Sequence, residues 1–401
     1  MTAPALGNAR AATVRFGSCD AEQQWRPADL ARLPALRDPH AEALTRAMDE
    51  LQAVLCGPAD VLLTARQPPA AFSEVMRASG FPARHLAVPG DPELPVEARL
   101  AEHGLPGLAG AAAGPYAVLP GTGEAVARLG LAGALPALES VRRVNSKVWS
   151  TELGLPGSGR IVTSVAELRM AAQEFGSCVV KDPYGVSGLG NITVDSPARL
   201  DLVCHRLTGT GERIELVLQP RYQRAADFAA HLTVTADGGI DWHGIRQTLN
   251  DGPSYRGSAP PEAELLDRLE RDGYRTTVES VAAAAAAEGY RGPMSVDSMT
   301  TTDGELIPVL EVNARLSPGM IAQQLGAALR LRVLPITRPG FYERLVNVLD
   351  EAGLLAGAGR PGVLPLTAST LVPPRGWLFY AVLGETGREV PDLAPILAAC
   401  V

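Results

Sequence analysis

The sequence predicts a mixed α/β and α+β protein, with an N-terminal α/β domain on a parallel sheet and antiparallel units after it. Two patterns carry this. Up to about residue 140, short apolar runs alternate with helical stretches: ADVLLTARQPPAAFSEVMRASGFP is strand, turn and helix, and PYAVLPGTGEAVARLGL repeats the order. Beyond it, apolar runs come in pairs around glycine turns, at Asp237-Gly238-Gly239 and at Asp303-Gly304. At 401 residues the chain is long enough for two or three domains with their own cores.

In chain order, GDPELPVEARLAEHGLPGLAGAAAGP is rich in Pro, Gly and Ala and is expected to be a loose connection. VRRVNSKVWSTELGLPGSGRIVTS places a helix with Lys147 before a Gly/Pro turn and a strand. SVAELRMAAQEFG is an amphipathic helix with Ser164 as N-cap. It leads into the strand carrying Lys181, and IELVLQPRY is a further strand. A helix through the alanine run precedes the hairpin GPMSVDSMTTTDGELIPVLEVNARLSPGM. The last 75 or so residues hold a helix, GFYERLVNVLDEAG, two strands, GVLPLTAS and GWLFYAVLG, and a short terminal helix.

The net charge of −8, with no run of Lys and Arg, argues against a nucleic acid partner. Five scattered cysteines without a CxxC pair are expected to be reduced thiols. The histidines lack HxxxH and HExxH spacing, so no zinc site is expected. No stretch has the length or apolarity of a signal peptide core or membrane span, so a soluble, cytoplasmic protein without a membrane partner is expected.

Three glycines fall within Gly185–Gly190, between two β-rich runs in VVKDPYGVSGLGNITV, and a hairpin alone needs fewer. Glycines let backbone N–H groups approach an anion, and Lys181 adds a point charge, so phosphate is one explanation. Neither common phosphate motif fits. Asn191 and Ile192 replace the Lys and Ser/Thr of a Walker A loop, and no helix follows as in a dinucleotide fingerprint. On this stretch alone a flexible surface hairpin stays equally open.

The second hairpin adds acids. A two-residue turn at Asp303-Gly304 sets Asp297 opposite Leu310, the neighbour of Glu311; a loop one residue longer sets it opposite Glu311 itself. Asn313 shares the strand face of Glu311. Two carboxylates and an amide oxygen suit a hard cation such as Mg²⁺ with substrate phosphates. A solvated edge hairpin is the plainer alternative, but Asp297 interrupts an apolar stretch and would repel Glu311 unless something positive lay between them.

The order Lys147, Lys181 with GVSGLGN, ELVLQPRY, then Asp297 and EVNAR resembles the ATP-grasp superfamily over about residues 140–320. The context of EVNARLSPGM is similar to ATP-grasp peptide ligases of the pheganomycin type, and D-alanine–D-alanine ligases share an EVN…PGM run. The resemblance implies an ATP-grasp fold of two α+β subdomains clamping ATP. Its divisions are an N-terminal α/β domain over 1–140, a lid subdomain over 141–215, a core subdomain over 216–325 and an α+β extension over 326–401. It further implies that Lys147 and Lys181 contact the ATP phosphates, with Lys181 toward the adenine side, and that Gly185, Ser187, Gly188, Gly190 and Asn191 close over them. Gln219, Pro220, Arg221 and Tyr222 would form the hinge whose backbone meets adenine. Asp297, Glu311 and Asn313 would hold one or two Mg²⁺, with Mn²⁺ an alternative, and Arg315 would stabilise the transferring group. Gln219 stands where the family commonly has Glu, and Ser295 where D-alanine ligases have Arg, which argues against that activity.

The implied reaction is an ADP-forming carboxylate–amine ligation through an acyl phosphate, joining amino acids or small peptides in natural-product biosynthesis. Arg246, Arg256 and Ser317 are candidate substrate contacts, the arginines toward a carboxylate. A small-molecule kinase and a nucleotide-binding module without turnover are the alternatives. A homodimer is in keeping with the relatives.

Overall fold

The computed structural model describes residues 11–34, 38–186, 189–252, 254–384 and 393–400. The strands are β1 (Thr13–Phe16), β2 (Val61–Thr64), β3 (Arg84–Ala87), β4 (Ala112–Pro115), β5 (Arg160–Val162), β6 (Cys178–Val186), β7 (Leu189–Val194) and β8 (Leu216–Pro220). They continue as β9 (Arg224–Val234), β10 (Ile240–Asp251), β11 (Ser254–Ala259), β12 (Gly292–Thr301), β13 (Leu306–Asn313), β14 (Ala328–Pro335), β15 (Gly362–Pro365) and β16 (Arg375–Leu383). The first four form a parallel sheet ordered β3-β2-β1-β4, the N-terminal α/β unit that the sequence predicts.

Its fourth strand falls inside the segment expected to be a loose connection, which also holds a helix over Val96–His103. The strand expected at PYAVLP is instead Ala112–Pro115, four small or proline residues without the β-branched side chains that mark strands. The close packing explains the composition: a Cβ on Gly114 would lie 2.8 Å from Thr13 Cγ2.

β5-β8-β6-β7 form a small antiparallel sheet, covered by helices Val165–Phe175 and Pro197–Leu207. Ser164 caps the first helix through Glu167 N (3.2 Å), as expected, and Ser196 caps the second with Pro197 in its first turn. An eight-stranded antiparallel sheet, ordered β13-β12-β9-β10-β11-β14-β16-β15, forms the body, so the C-terminal strands extend the same sheet. One face packs on helix Tyr274–Ala287: Phe228 meets Tyr274 edge-on at 5.3 Å, and Ala230, Val296 and Val312 are buried there. The alternate residues face the other way and build the candidate site.

The loop at Asp303-Gly304 is longer than two residues. Thr301 faces Glu305 (N–O 2.9 Å), and Met299 pairs with Ile307. The strands would then bring Asp297 opposite Val309, but a bulge intervenes, with Pro308, Val309 and Leu310 against Ser298 alone. Pro308 has no N–H for the ladder, and its carbonyl accepts from Ser298 Oγ at 2.7 Å. The bulge restores Asp297 to a position directly opposite Glu311. All five cysteines are buried free thiols. Among the described residues no helix is long and apolar enough to cross a membrane.

Candidate active site

Ladder pairing lines up Arg246 (β10), Ala229 (β9), Asp297 (β12) and Glu311 (β13) on the open face of the large sheet. One step along lie His231, Ser295 and Asn313. Asn313 Nδ2 donates to Asp297 Oδ2 at 3.2 Å, and Arg315 Nη2 donates to Asn313 Oδ1 at 2.9 Å. Burial and the Glu311 charge push the Asp297 carboxyl up to about 7. A buried acid beside a second acid is a site short of positive charge.

Part of that charge comes from Lys147, on the first turn of helix Lys147–Glu152, which Ser146 caps. Its Nζ lies 3.1 Å from Glu311 Oε2 and 2.5 Å from the Gly185 carbonyl. Lys147 therefore joins the acids of the large sheet to the hairpin of the small one. Lys181 sits on β6 between Val217 and Asn191, buried, and its ammonium is pulled down to about 7 by burial and then by Lys147. Two buried lysines with too few anions between them complement the electrostatics of a phosphate site.

Gly185 and Gly190 belong to β6 and β7 rather than to a loop, and they touch: a Cβ on Gly190, at φ +85°, would come within 3.1 Å of Gly185 Cα. This contact accounts for part of the glycine surplus. Asn191 pairs with Lys181 and is exposed; Ser187 and Gly188 lie outside the described residues.

β8 and β9 connect the two sheets through Arg221, Tyr222 and Gln223, where the hinge is expected. Gln219 does not point into the cleft: its Nε2 donates to Gly157 O at 2.7 Å, pinning the turn before β5. Pro220 offers no N–H, and that of Arg221 goes to Ser177 O at 3.0 Å, so these two cannot donate to an adenine.

Arg315 is buried and reaches into the N-terminal domain. Its Nε donates to Glu22 Oε1 at 2.7 Å, its Nη2 also meets Glu22, and its Nη1 donates to Leu316 O at 2.9 Å. Sequence reasoning missed Glu22, from helix Ala21–Trp25. It follows the carboxyl end of β1, where parallel sheets gather their sites, and that position was the available signal. Arg26, just beyond that helix, pairs at 2.5 Å with Asp182, next to Lys181.

Ser317 is committed to structure: its Oγ accepts from Met320 N (3.1 Å), capping helix Pro318–Leu325, and meets Ser295 Oγ at 2.9 Å. Ser295 Oγ also meets His231 Nδ1 at 2.8 Å, so the serine in place of the D-alanine-ligase arginine anchors that helix end. Of the two candidate arginines, Arg256 is partly exposed and paired with Asp251 Oδ2 at 3.2 Å, while Arg246 is buried in the row of Asp297.

No protein-family model matches the chain. A stretch of 152 residues, 36% of the chain, is 28% identical to the [butirosin acyl-carrier protein]–L-glutamate ligase of Niallia circulans, and the match spans 34% of that protein's length. Across 98% of both chains the structure resembles N5-carboxyaminoimidazole synthase of Aspergillus clavatus, solved with ADP, with a TM-score of 0.56 at 12% identity. The chain has the ATP-grasp fold. A further ATP-grasp neighbour is the biotin carboxylase domain of Hydrogenobacter thermophilus 2-oxoglutarate carboxylase, solved with MgADP (TM-score 0.57, 14% identity, 94% of this chain and 87% of that one). The fold expectation from the sequence is thus met.

Proposed function

We propose that the protein is an ADP-forming carboxylate–amine ligase that activates an acid as an acyl phosphate and passes it to an amine. The observation that carries this is the convergence of Lys147, Lys181, Asp297, Glu311, Asn313 and Arg315 between the two sheets of an ATP-grasp fold. A carboxylate carbon is a poor electrophile, and phosphorylation gives it a leaving group. The alignment with a curated ligase that joins L-glutamate to a carrier protein supports an amino acid or peptide as a substrate.

In this reading Lys147 and Lys181 bind the triphosphate from core and lid. On nucleotide binding the Lys147 ammonium turns from Glu311 and Gly185 O toward phosphate oxygens. Arg315, oriented by Glu22 and Asn313, faces the charge that develops as the phosphoryl group leaves ADP. The lid hairpin excludes water that would hydrolyse the acyl phosphate. The paired carboxylates of Asp297 and Glu311 fit a hard divalent cation, with Asn313 Oδ1 available once its amide turns from Arg315. Mg²⁺ held by these residues would supply positive charge against the phosphates.

The test is release of ADP, AMP and phosphate from Mg-ATP over amino acids offered singly and in pairs, with Glu311→Ala as control. ADP release that requires a pair, yields an amide by mass spectrometry and disappears in the variant is expected. AMP release contradicts the acyl phosphate; ADP from a single substrate with no amide identifies a kinase instead.

A further inference from the structure

Arg246 is a buried cation without an acid. Its Nε lies 3.4 Å from Ser258 Oγ and its Nη2 donates to Ala327 O, but among the described residues no carboxylate comes within ion-pair distance. The buried hydroxyl of Tyr255, which pairs with Asn250 on the same face as Arg246, has no hydrogen-bond partner among the described residues. Burying a charge is expensive unless it is paired, and burying a hydroxyl is expensive unless it is hydrogen-bonded. A buried guanidinium and a buried hydroxyl on one face, both short of partners, describe a site shaped for an anion that the described residues do not supply.

Position says which anion. Arg246 lies in the ladder row of Asp297 with only Ala229 between them, so two strand spacings of ~4.8 Å separate the backbone positions. The methyl of Ala229 leaves that floor low, and the guanidinium faces the same cleft as the metal acids. Arg256, the other sequence candidate, already has Asp251.

We propose that Arg246 and Tyr255 form a carboxylate-binding subsite of the ligase cleft, so that one substrate carries a second carboxylate beyond the reacting one. This rests on the ligase reading for its chemistry, but the anion site itself is tested without turnover. Arg246 supplies charged donors and Tyr255 Oη a neutral one. The subsite selects a dicarboxylate or a carboxyl-bearing amino acid over its amide, because an amide brings no charge to the guanidinium.

The probe is glutarate against glutaramide, titrated calorimetrically into the wild-type chain with Mg-AMP-PNP present. Glutarate is expected to bind and glutaramide to bind at least about tenfold more weakly, the scale of a charge-assisted hydrogen bond. Arg246→Gln should weaken glutarate about ten- to hundredfold and leave AMP-PNP affinity unchanged. Arg246 also ties the chain beyond helix Pro318–Leu325 through Ala327 O, so Tyr255→Phe is the fold-safe variant: it removes a hydroxyl with no partner among the described residues and should weaken glutarate severalfold at unchanged thermal stability. Equal binding of glutarate and glutaramide by the wild type, or equal glutarate affinity in Arg246→Gln and wild type, overturns the subsite. A chain that binds glutarate as expected yet releases no ADP with any substrate pair refutes the ligase and leaves the subsite standing.

Discussion

Lys181 should take up a proton when the nucleotide binds. In the free protein its ammonium is held near 7 by burial and by Lys147. Triphosphate oxygens placed between the two lysines reverse both influences, returning Lys181 toward an ordinary lysine value of about 10.4. At pH 8 only about one free molecule in eleven carries the proton, and nearly every complex does, so binding takes up about 0.9 proton. Because the complex binds the proton more tightly than the free protein, affinity falls as pH rises above 7. The slope approaches about tenfold, or about 1.4 kcal/mol, per pH unit between roughly pH 7.5 and 9.5. The assay is calorimetric titration with Mg-AMP-PNP at pH 8 in buffers of different ionisation enthalpy, for wild type and Lys181→Met. The wild type should show the uptake and the variant should lose it together with the pH slope. Equal proton uptake in both would refute the placement of Lys181 against phosphate.

Three other perturbations follow from single contacts. Glu22→Gln strips the buried Arg315 of its carboxylate and should destabilise the chain by about 3–5 kcal/mol in urea unfolding; a change below about 1 kcal/mol would mean the pair contributes little. Gly159→Ala forces a Cβ to 2.2 Å from Leu218 O at a backbone φ of +91°, next to Gln219. It should cost about 1–3 kcal/mol and raise the ATP KM more than it lowers kcat, which steady-state kinetics will read. Arg26→Ala removes the only ion-pair partner described for Asp182, and limited proteolysis should then cut the β6–β7 hairpin faster.

Local chemistry was legible and distant pairing was not. Ser164 announced a helix start, Asp303-Gly304 a reversal, and the acids of GPMSVDSMTTTDGELIPVLEVN were rightly placed on neighbouring strands. β4 was missed because Ala112–Pro115 has the composition of a connection, its small residues serving contact with β1. The turn count gave the register only approximately, since the bulge at Pro308 depends on how Ser298 and β9 hold β12. Glu22 escaped notice because its partner Arg315 is 293 positions away and nothing local to either residue announces the other. Arg246 and Arg256 looked alike in GIRQTLNDGPSYRGS; only the ladder shows that Arg246 shares a row with Asp297.

The central claim is that the carboxyl oxygen of the acid leaves with the phosphate, and isotope transfer tests it most directly. With a carboxyl donor labelled with ¹⁸O in the reacting carboxylate, turnover with Mg-ATP and amine should place one ¹⁸O atom in the released inorganic phosphate. Label recovered in AMP, or phosphate without label while amide forms, would contradict the acyl phosphate and with it the roles given to Lys147, Lys181 and Arg315.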